Sequence, residues 1–240
     1  MQRLHHLFFL IAVPVLLALA VYLQDKPVNA ANNANHSDTP PALEAEGRDI
    51  NVIDGDTIII DGKVVDIAGL DAPELGQQCR HNGSFWDCGM SAAMQLRKYF
   101  AMAPFTVQCW PGDEDRAGKA NDFPIVECGI GDRDVAAAMI RDGEALPIEG
   151  YSHRYDSLSA EAANAEIGIH GSDMIAPSDW RAGKRLEGET GRCLYVATPD
   201  KHYVGTLDPR FDKIKTDNTI QICSDEQART LDYEYLAPAP

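Results

Sequence analysis

The sequence predicts an α+β chain, mainly β, with three helices in its central part. Three observations carry that expectation. Short runs rich in β-branched residues recur between turn signals, as at Thr57–Ile60 and Val64–Ala68. Stretches with apolar residues at helical spacing fall between and after them, as at Gly89–Met102. An uncharged apolar segment and a polar, proline-containing stretch precede all of this without sharing either pattern.

Taken in order, Arg3 precedes Leu7–Leu23, which carries no charge. That is the layout of a basic n-region before an apolar stretch. The run is longer than an ordinary signal core and just short of a comfortable span. It reads as a single-pass anchor helix over residues 1–23, Arg3 placing the rest outside the cytoplasm or facing a periplasm. The other reading is a signal cleaved at about Ala30, after Val28-Asn29-Ala30, with the chain secreted. Residues 24–46, rich in Asn, Ala and Pro, read as a flexible linker.

A central domain is expected over residues 47–181. Its strands are Asp49–Ile53, Thr57–Ile60 and Val64–Ala68, the last two joined by Asp61-Gly62, a strong hairpin signal. Ala92, Ala93, Leu96 and Phe100 make Gly89–Met102 a helix. Phe105–Cys109 and Pro124–Cys128 read as strands. Asp134–Asp142 is a helix, capped by Asp132 or Asp134 and ended by Gly143, and Ser157–Glu166 is a helix closed by Gly168. A β-rich accessory tail, 182–240, offers Cys193–Ala197, Tyr203–Leu207 and Thr219–Cys223, then a short helix after Ser224.

An exported chain with six cysteines is expected to form disulfides. Sequence alone leaves about fifteen pairings open. Local order suggests Cys79 with Cys88, Cys109 with Cys128 and Cys193 with Cys223. Thiolate metal sites lack support, since no Cys-x-x-Cys and no close Cys-His spacing occurs.

The formal net charge is −16. Residues 47–180 hold 10 Lys and Arg against 23 Asp and Glu, whereas 181–240 hold 9 against 10. The acidity therefore lies in the central domain. Phosphate affinity rests on Lys and Arg releasing counterions, so tight non-specific nucleic-acid binding is disfavoured. Acids gather instead around the hairpin: Asp54 and Asp56 before it, Asp71 and Glu74 after it. A hairpin returns its outer ends to one place, and such carboxylate sets suit Ca²⁺.

The stretch Val52-Ile53-Asp54-Gly55-Asp56-Thr57, with Asp71-Ala72-Pro73-Glu74 after the hairpin, resembles the start of the staphylococcal-nuclease (thermonuclease) family. The likeness continues through Asp115-Arg116-Ala117-Gly118-Lys119, Val135–Leu146 and Tyr155–Ile169, ending near Trp180. The cysteine-containing tail is similar to those of other exported members. The resemblance implies an OB-like five-stranded barrel with three helices, its strand order included. It also implies a Ca²⁺ held by Asp56, Asp71 and the carbonyl of Ala72, with Glu74 positioning or deprotonating the attacking water. Asp54 reads as a turn cap.

The chain departs from the family at two phosphate-binding arginines. Asp66 stands where the first is expected, and Lys119 stands at the second, a position catalytic in the family. Lysine keeps the charge without the planar fork; aspartate inverts the charge. A carboxylate roughly 6 Å from a phosphate repels it by roughly 3 kcal/mol at effective ε near 20. Loss of an arginine on a phosphoryl transition state costs on the order of 10³–10⁵ in rate. The expectation is a phosphodiesterase-class site with weak or absent nuclease activity and no guanidinium facing the acids. The alternatives are a non-catalytic envelope module binding a protein or exopolysaccharide, and an active secreted nuclease with a rearranged clamp, for which Arg80 and Lys63 are the nearest replacements. Trp86 and Trp180 read as packing anchors, and the histidines show no ligand spacing.

Overall fold

A computed structural model describes residues 39–103, 106–112, 123–151, 153–215 and 219–236. The expected anchor, most of the expected linker, and Lys119 lie outside the described residues. Among the described residues no helix is long and apolar enough to cross a membrane.

Mixed α and β structure is observed, with strands in the majority. The strands in the first half are β1 (Leu43–Ala45), β2 (Asn51–Val52), β3 (Thr57–Ile60), β4 (Lys63–Ile67), β5 (Leu70–Asp71), β6 (Cys79–His81) and β7 (Ser84–Trp86). Helix α1 (Cys88–Ala101) follows, then β8 (Val107–Pro111), β9 (Ile125–Ile130), β10 (Arg133–Asp134), α2 (Val135–Arg141) and β11 (Leu146–Pro147). Helices α3 (Asp156–Asn164) and α4 (Pro177–Arg181) precede the tail. The tail holds β12 (Tyr195–Ala197), β13 (His202–Gly205), α5 (Phe211–Ile214), β14 (Ile220–Ile222), α6 (Asp225–Thr230) and β15 (Glu234–Tyr235).

Local chemistry accounts for the elements that flank the acids. Asp61 and Gly62 both have positive φ, 50° and 70°, as a two-residue hairpin turn with the twist of its strands demands. That turn sets the register Ile60↔Lys63 to Thr57↔Asp66. All four residues of β3 are buried, so both faces of this strand are covered. Helix α1 buries Ala92, Ala93, Leu96 and Phe100 along one stripe. Asp134 caps α2, its side chain accepting from the Ala137 N–H, and Gly143 leaves the helix at φ 67°.

The main sheet runs β1-β8-β9-β4-β3-β2, with β10 added to β9. Among the described residues its one parallel pairing is β4–β9. Its path is open between β1 and β2, which are consecutive in the chain and separated by Glu46–Ile50. Strand β1 falls in the stretch expected to be linker. Leu43 is buried and the strand pairs with β8 from Leu43↔Cys109 to Ala45↔Val107. Three residues are too few to show a periodicity, so only the partner strand reveals this one. The strand expected at Asp49–Ile53 is shortened to Asn51–Val52, because Gly47–Asp49 forms a 3₁₀ turn. A Cβ at Gly47 would lie 2.0 Å from the Phe100 carbonyl oxygen, so this turn packs directly on α1.

The tail forms a four-stranded sheet, β14-β12-β13-β15. Its Tyr195, Tyr203, Ile222 and Ala228 belong to the same buried cluster as Ile58, Leu75 and Leu96 of the central domain. It therefore shares a core with the rest. Three disulfides, Cys79–Cys88, Cys109–Cys128 and Cys193–Cys223, follow the local order expected.

Candidate functional site

The turn after β2 shapes the first group of acids. Asp54 Oδ1 accepts from the Thr57 N–H at 2.8 Å and the Asp56 N–H at 3.2 Å, the capping role expected of it. The Asp56 carbonyl accepts from Ile67 N at 2.8 Å, tying the turn to the end of β4. Thr57 Oγ1 then lies 2.8 Å from Asp66 Oδ1 and 3.4 Å from Asp56 Oδ1. Asp66, expected at a phosphate-clamp position, thus meets the Thr57 hydroxyl across the β3–β4 pair.

Strand β5 brings the second group. Asp56 Oδ2 accepts from the Ala72 N–H at 2.8 Å, which joins the two ends of the hairpin as expected. Leu146↔Asp71 pairing with β11 holds the segment from the other side. Glu74 starts a tight turn in which Gln77 N donates to its carbonyl at 2.7 Å and Gln77 Oε1 accepts from its N–H at 3.2 Å. The Cys79–Cys88 bridge closes the loop onto the first turn of α1.

One residue corrects the sequence-based expectation. Arg181, the last residue of α4, places Nη1 2.9 Å from Asp71 Oδ1 and 2.8 Å from Glu74 Oε1. A guanidinium does face the acids, and it comes from 110 residues beyond Asp71. The nearer candidates go elsewhere: Arg80 pairs with Asp173 at 3.0 Å, and Lys63 is exposed at the hairpin tip. Burial works against the charge of Arg181, but the Glu74 and Asp71 carboxylates overcome it and hold the proton more firmly than usual.

The acids are also covered. Asp54, Asp56, Asp66 and Glu74 are each 3–5% exposed. Tyr195 of β12 donates its hydroxyl to Asp54 Oδ2 at 3.4 Å. Gln77 Nε2 donates to the Ile175 carbonyl at 2.6 Å, and Arg192 N donates to the Gly76 carbonyl at 3.0 Å. Trp180 is buried, as expected of a packing anchor, and its Nε1 donates to Glu189 Oε1 at 2.6 Å. Trp86, half-buried, donates to Ser172 Oγ at 3.1 Å.

Sequence reasoning missed Arg181, Thr57 and Tyr195. The available signal was a Pro177-Ser-Asp-Trp180-Arg181 stretch, a helix start that ends on a buried aromatic and a cation. Among the described residues no group of three or more His, Cys, Asp or Glu side chains is arranged to hold a metal ion. Ca²⁺ needs six to eight oxygen ligands. Here Asp56 Oδ2, Asp71 Oδ1 and Glu74 Oε1 each accept from an N–H donor at 2.8–2.9 Å. For two of these the donor is one guanidinium nitrogen of Arg181, and for the third it is the backbone amide of Ala72. No protein-family model matches the chain, and no curated protein matches it.

Proposed function

We propose that this chain is an exported, thermonuclease-like domain with weak or absent nuclease activity, its acid site closed by its own arginine. The carrying observation is the Arg181 bridge between Asp71 and Glu74, beneath a cover that leaves the pair's carboxylates 16% and 6% exposed. Hydrolysis of a phosphodiester needs a Lewis acid on the phosphoryl oxygens and a base beside a water. Glu74 Oε1, the expected base, accepts instead from a guanidinium. In this reading Ca²⁺ is a competitor of Arg181 for the oxygens of Asp71.

An OB-like barrel is the fold we assign to the main sheet. It is supported by β1 and β2 lying at opposite ends of the sheet path while being neighbours in the chain, as a first strand shared between two edges would be. Three disulfides are compatible with export. Anchoring through residues 1–23, and an envelope protein or polysaccharide as partner, are proposals resting on the sequence.

The test is digestion of DNA and of RNA by the purified protein, with Ca²⁺ and with a chelator. The expected result is no chelator-sensitive cleavage at ordinary enzyme concentration. Robust chelator-sensitive cleavage would sink this reading and favour the second one, an active nuclease in which Arg181 supplies the rearranged clamp. That second reading is favoured by one observation, the presence of a guanidinium at the acids at all.

A further inference from the structure

We infer that Arg181 is the resident cation of this pocket, a tethered guanidinium that makes the fold independent of divalent ions. The inference deepens the proposed function and rests on its assignment of Asp71 and Glu74 to one acid site closed by Arg181. Two carboxylates converge on the single nitrogen Nη1, at 2.9 and 2.8 Å, and all three side chains are at most 16% exposed. Acids held together in so little water need a positive charge between them. A metal-binding relative of this arrangement would recruit that charge from solution; this chain supplies it covalently.

The delivery of Arg181 is built rather than incidental. Helix α4 opens at Pro177, whose fixed φ suits the first helical position. Two residues before it, Ile175 accepts at its carbonyl from Gln77, three residues from Glu74. Trp180, 1% exposed, seats the helix, and Arg185 stacks its guanidinium 3.7 Å over the Trp180 ring. Glu189 then accepts from Trp180 Nε1 and from the Gln78 N–H, closing the segment back onto the Glu74 loop. Both sides of Arg181 are therefore pinned to the residues next to its partners. A divalent ion would have to displace one charge-assisted bond to gain Asp71 Oδ1 and another to gain Glu74 Oε1.

Thermal unfolding of the whole protein, in millimolar Ca²⁺ and in chelator, tests this with Arg181→Met and Arg181→Lys. The wild type should melt within about 1 °C of the same temperature in both conditions, since a ligand stabilises only what it binds. Arg181→Met should melt roughly 10 °C lower in chelator, as expected when two buried carboxylates lose the guanidinium they share in a chain of this size. Ca²⁺ should restore at least half of that loss, with saturable heat of binding by calorimetry. Arg181→Lys should retain most of the stability and remain indifferent to Ca²⁺. If Arg181→Met does not fold in chelator, refolding from denaturant only when Ca²⁺ is present supports the inference, and failure under both conditions overturns it. Stabilisation of the wild type by Ca²⁺ also overturns it, as does an Arg181→Met loss that Ca²⁺ leaves untouched. Cleavage assays on the same samples judge the proposed function separately: an active wild type whose melting ignores Ca²⁺ would sink the weak-nuclease reading and leave the role of Arg181 standing.

Discussion

Replacing Gly76 with alanine tests whether the segment after α4 is the cover of the acid site. Gly76 lies two residues after Glu74, next to the fully buried Leu75. A Cβ there would sit 1.7 Å from the Arg192 carbonyl oxygen and 2.8 Å from its carbon. Ordinary contact begins at 3.4 Å, so the Arg192 backbone must retreat by about 1.7 Å. That displacement removes the 3.0 Å bond from Arg192 N to the Gly76 carbonyl. It also draws β12 away from Asp54, which accepts from Tyr195 at 3.4 Å. One lost backbone bond costs about 1 kcal/mol and overpacking about 1–3 kcal/mol, for a sum of roughly 2–4 kcal/mol. With m of about 1–3 kcal/mol/M in urea, the unfolding midpoint should fall by roughly 1–2 M. Urea titration followed by tryptophan fluorescence reads this, because the buried Trp180 donates to Glu189 in the segment that carries Arg192. A loss below about 0.5 kcal/mol, the scale of an ordinary surface change, would refute the close approach and with it the idea that this segment seals the pocket.

Thr57→Val removes the hydroxyl that reaches Asp66 at 2.8 Å inside the protein, and should destabilise by about 1–3 kcal/mol in the same urea titration. An unchanged midpoint would mean that Asp66 does not depend on this donor. Burial raises the Glu144 carboxyl above its ordinary 4.5, Asp142 adds to the shift and the Ser91 hydroxyl opposes it. Its contribution is then present below the unfolded value and lost as pH rises through the folded one, so Glu144→Gln should gain melting temperature over wild type between pH 4 and pH 7. A gain that shrinks over that range would reverse the sign and reject the burial argument. Replacing Cys193 and Cys223 together by serine opens a 30-residue separation and should cost about 2–4 kcal/mol. No measurable loss in non-reducing calorimetry would show that the shared core alone holds the tail.

Elements ruled by neighbours in sequence were legible before any coordinates. Asp61-Gly62 names its own turn because few residue pairs tolerate positive φ twice in succession. Asp134 and Ser224 name helix starts because each side-chain oxygen accepts a backbone N–H three residues on. The convergence of Asp56 with Ala72 followed from hairpin geometry. Strands β6 and β7, joined by Asn82-Gly83 with φ of 50° and 80°, carried a comparable signal that the surrounding cysteines and polar residues obscured.

Charge counting misled at one point. A balance of −13 over residues 47–180 is correct as arithmetic, yet it ends one residue before Arg181, which pairs with Asp71 and Glu74. By itself the sequence determined the hairpin, the helix starts and the gathering of acids at one mouth, and local order suggested the cysteine partners that the structure then fixed, since each depends on residues a short chain distance apart. The tertiary structure alone decided that the tail shares the central core and that Arg181 meets Asp71 and Glu74. Contacts across a hundred residues depend on how whole elements pack, and no local spacing records which distant cation a buried carboxylate will find.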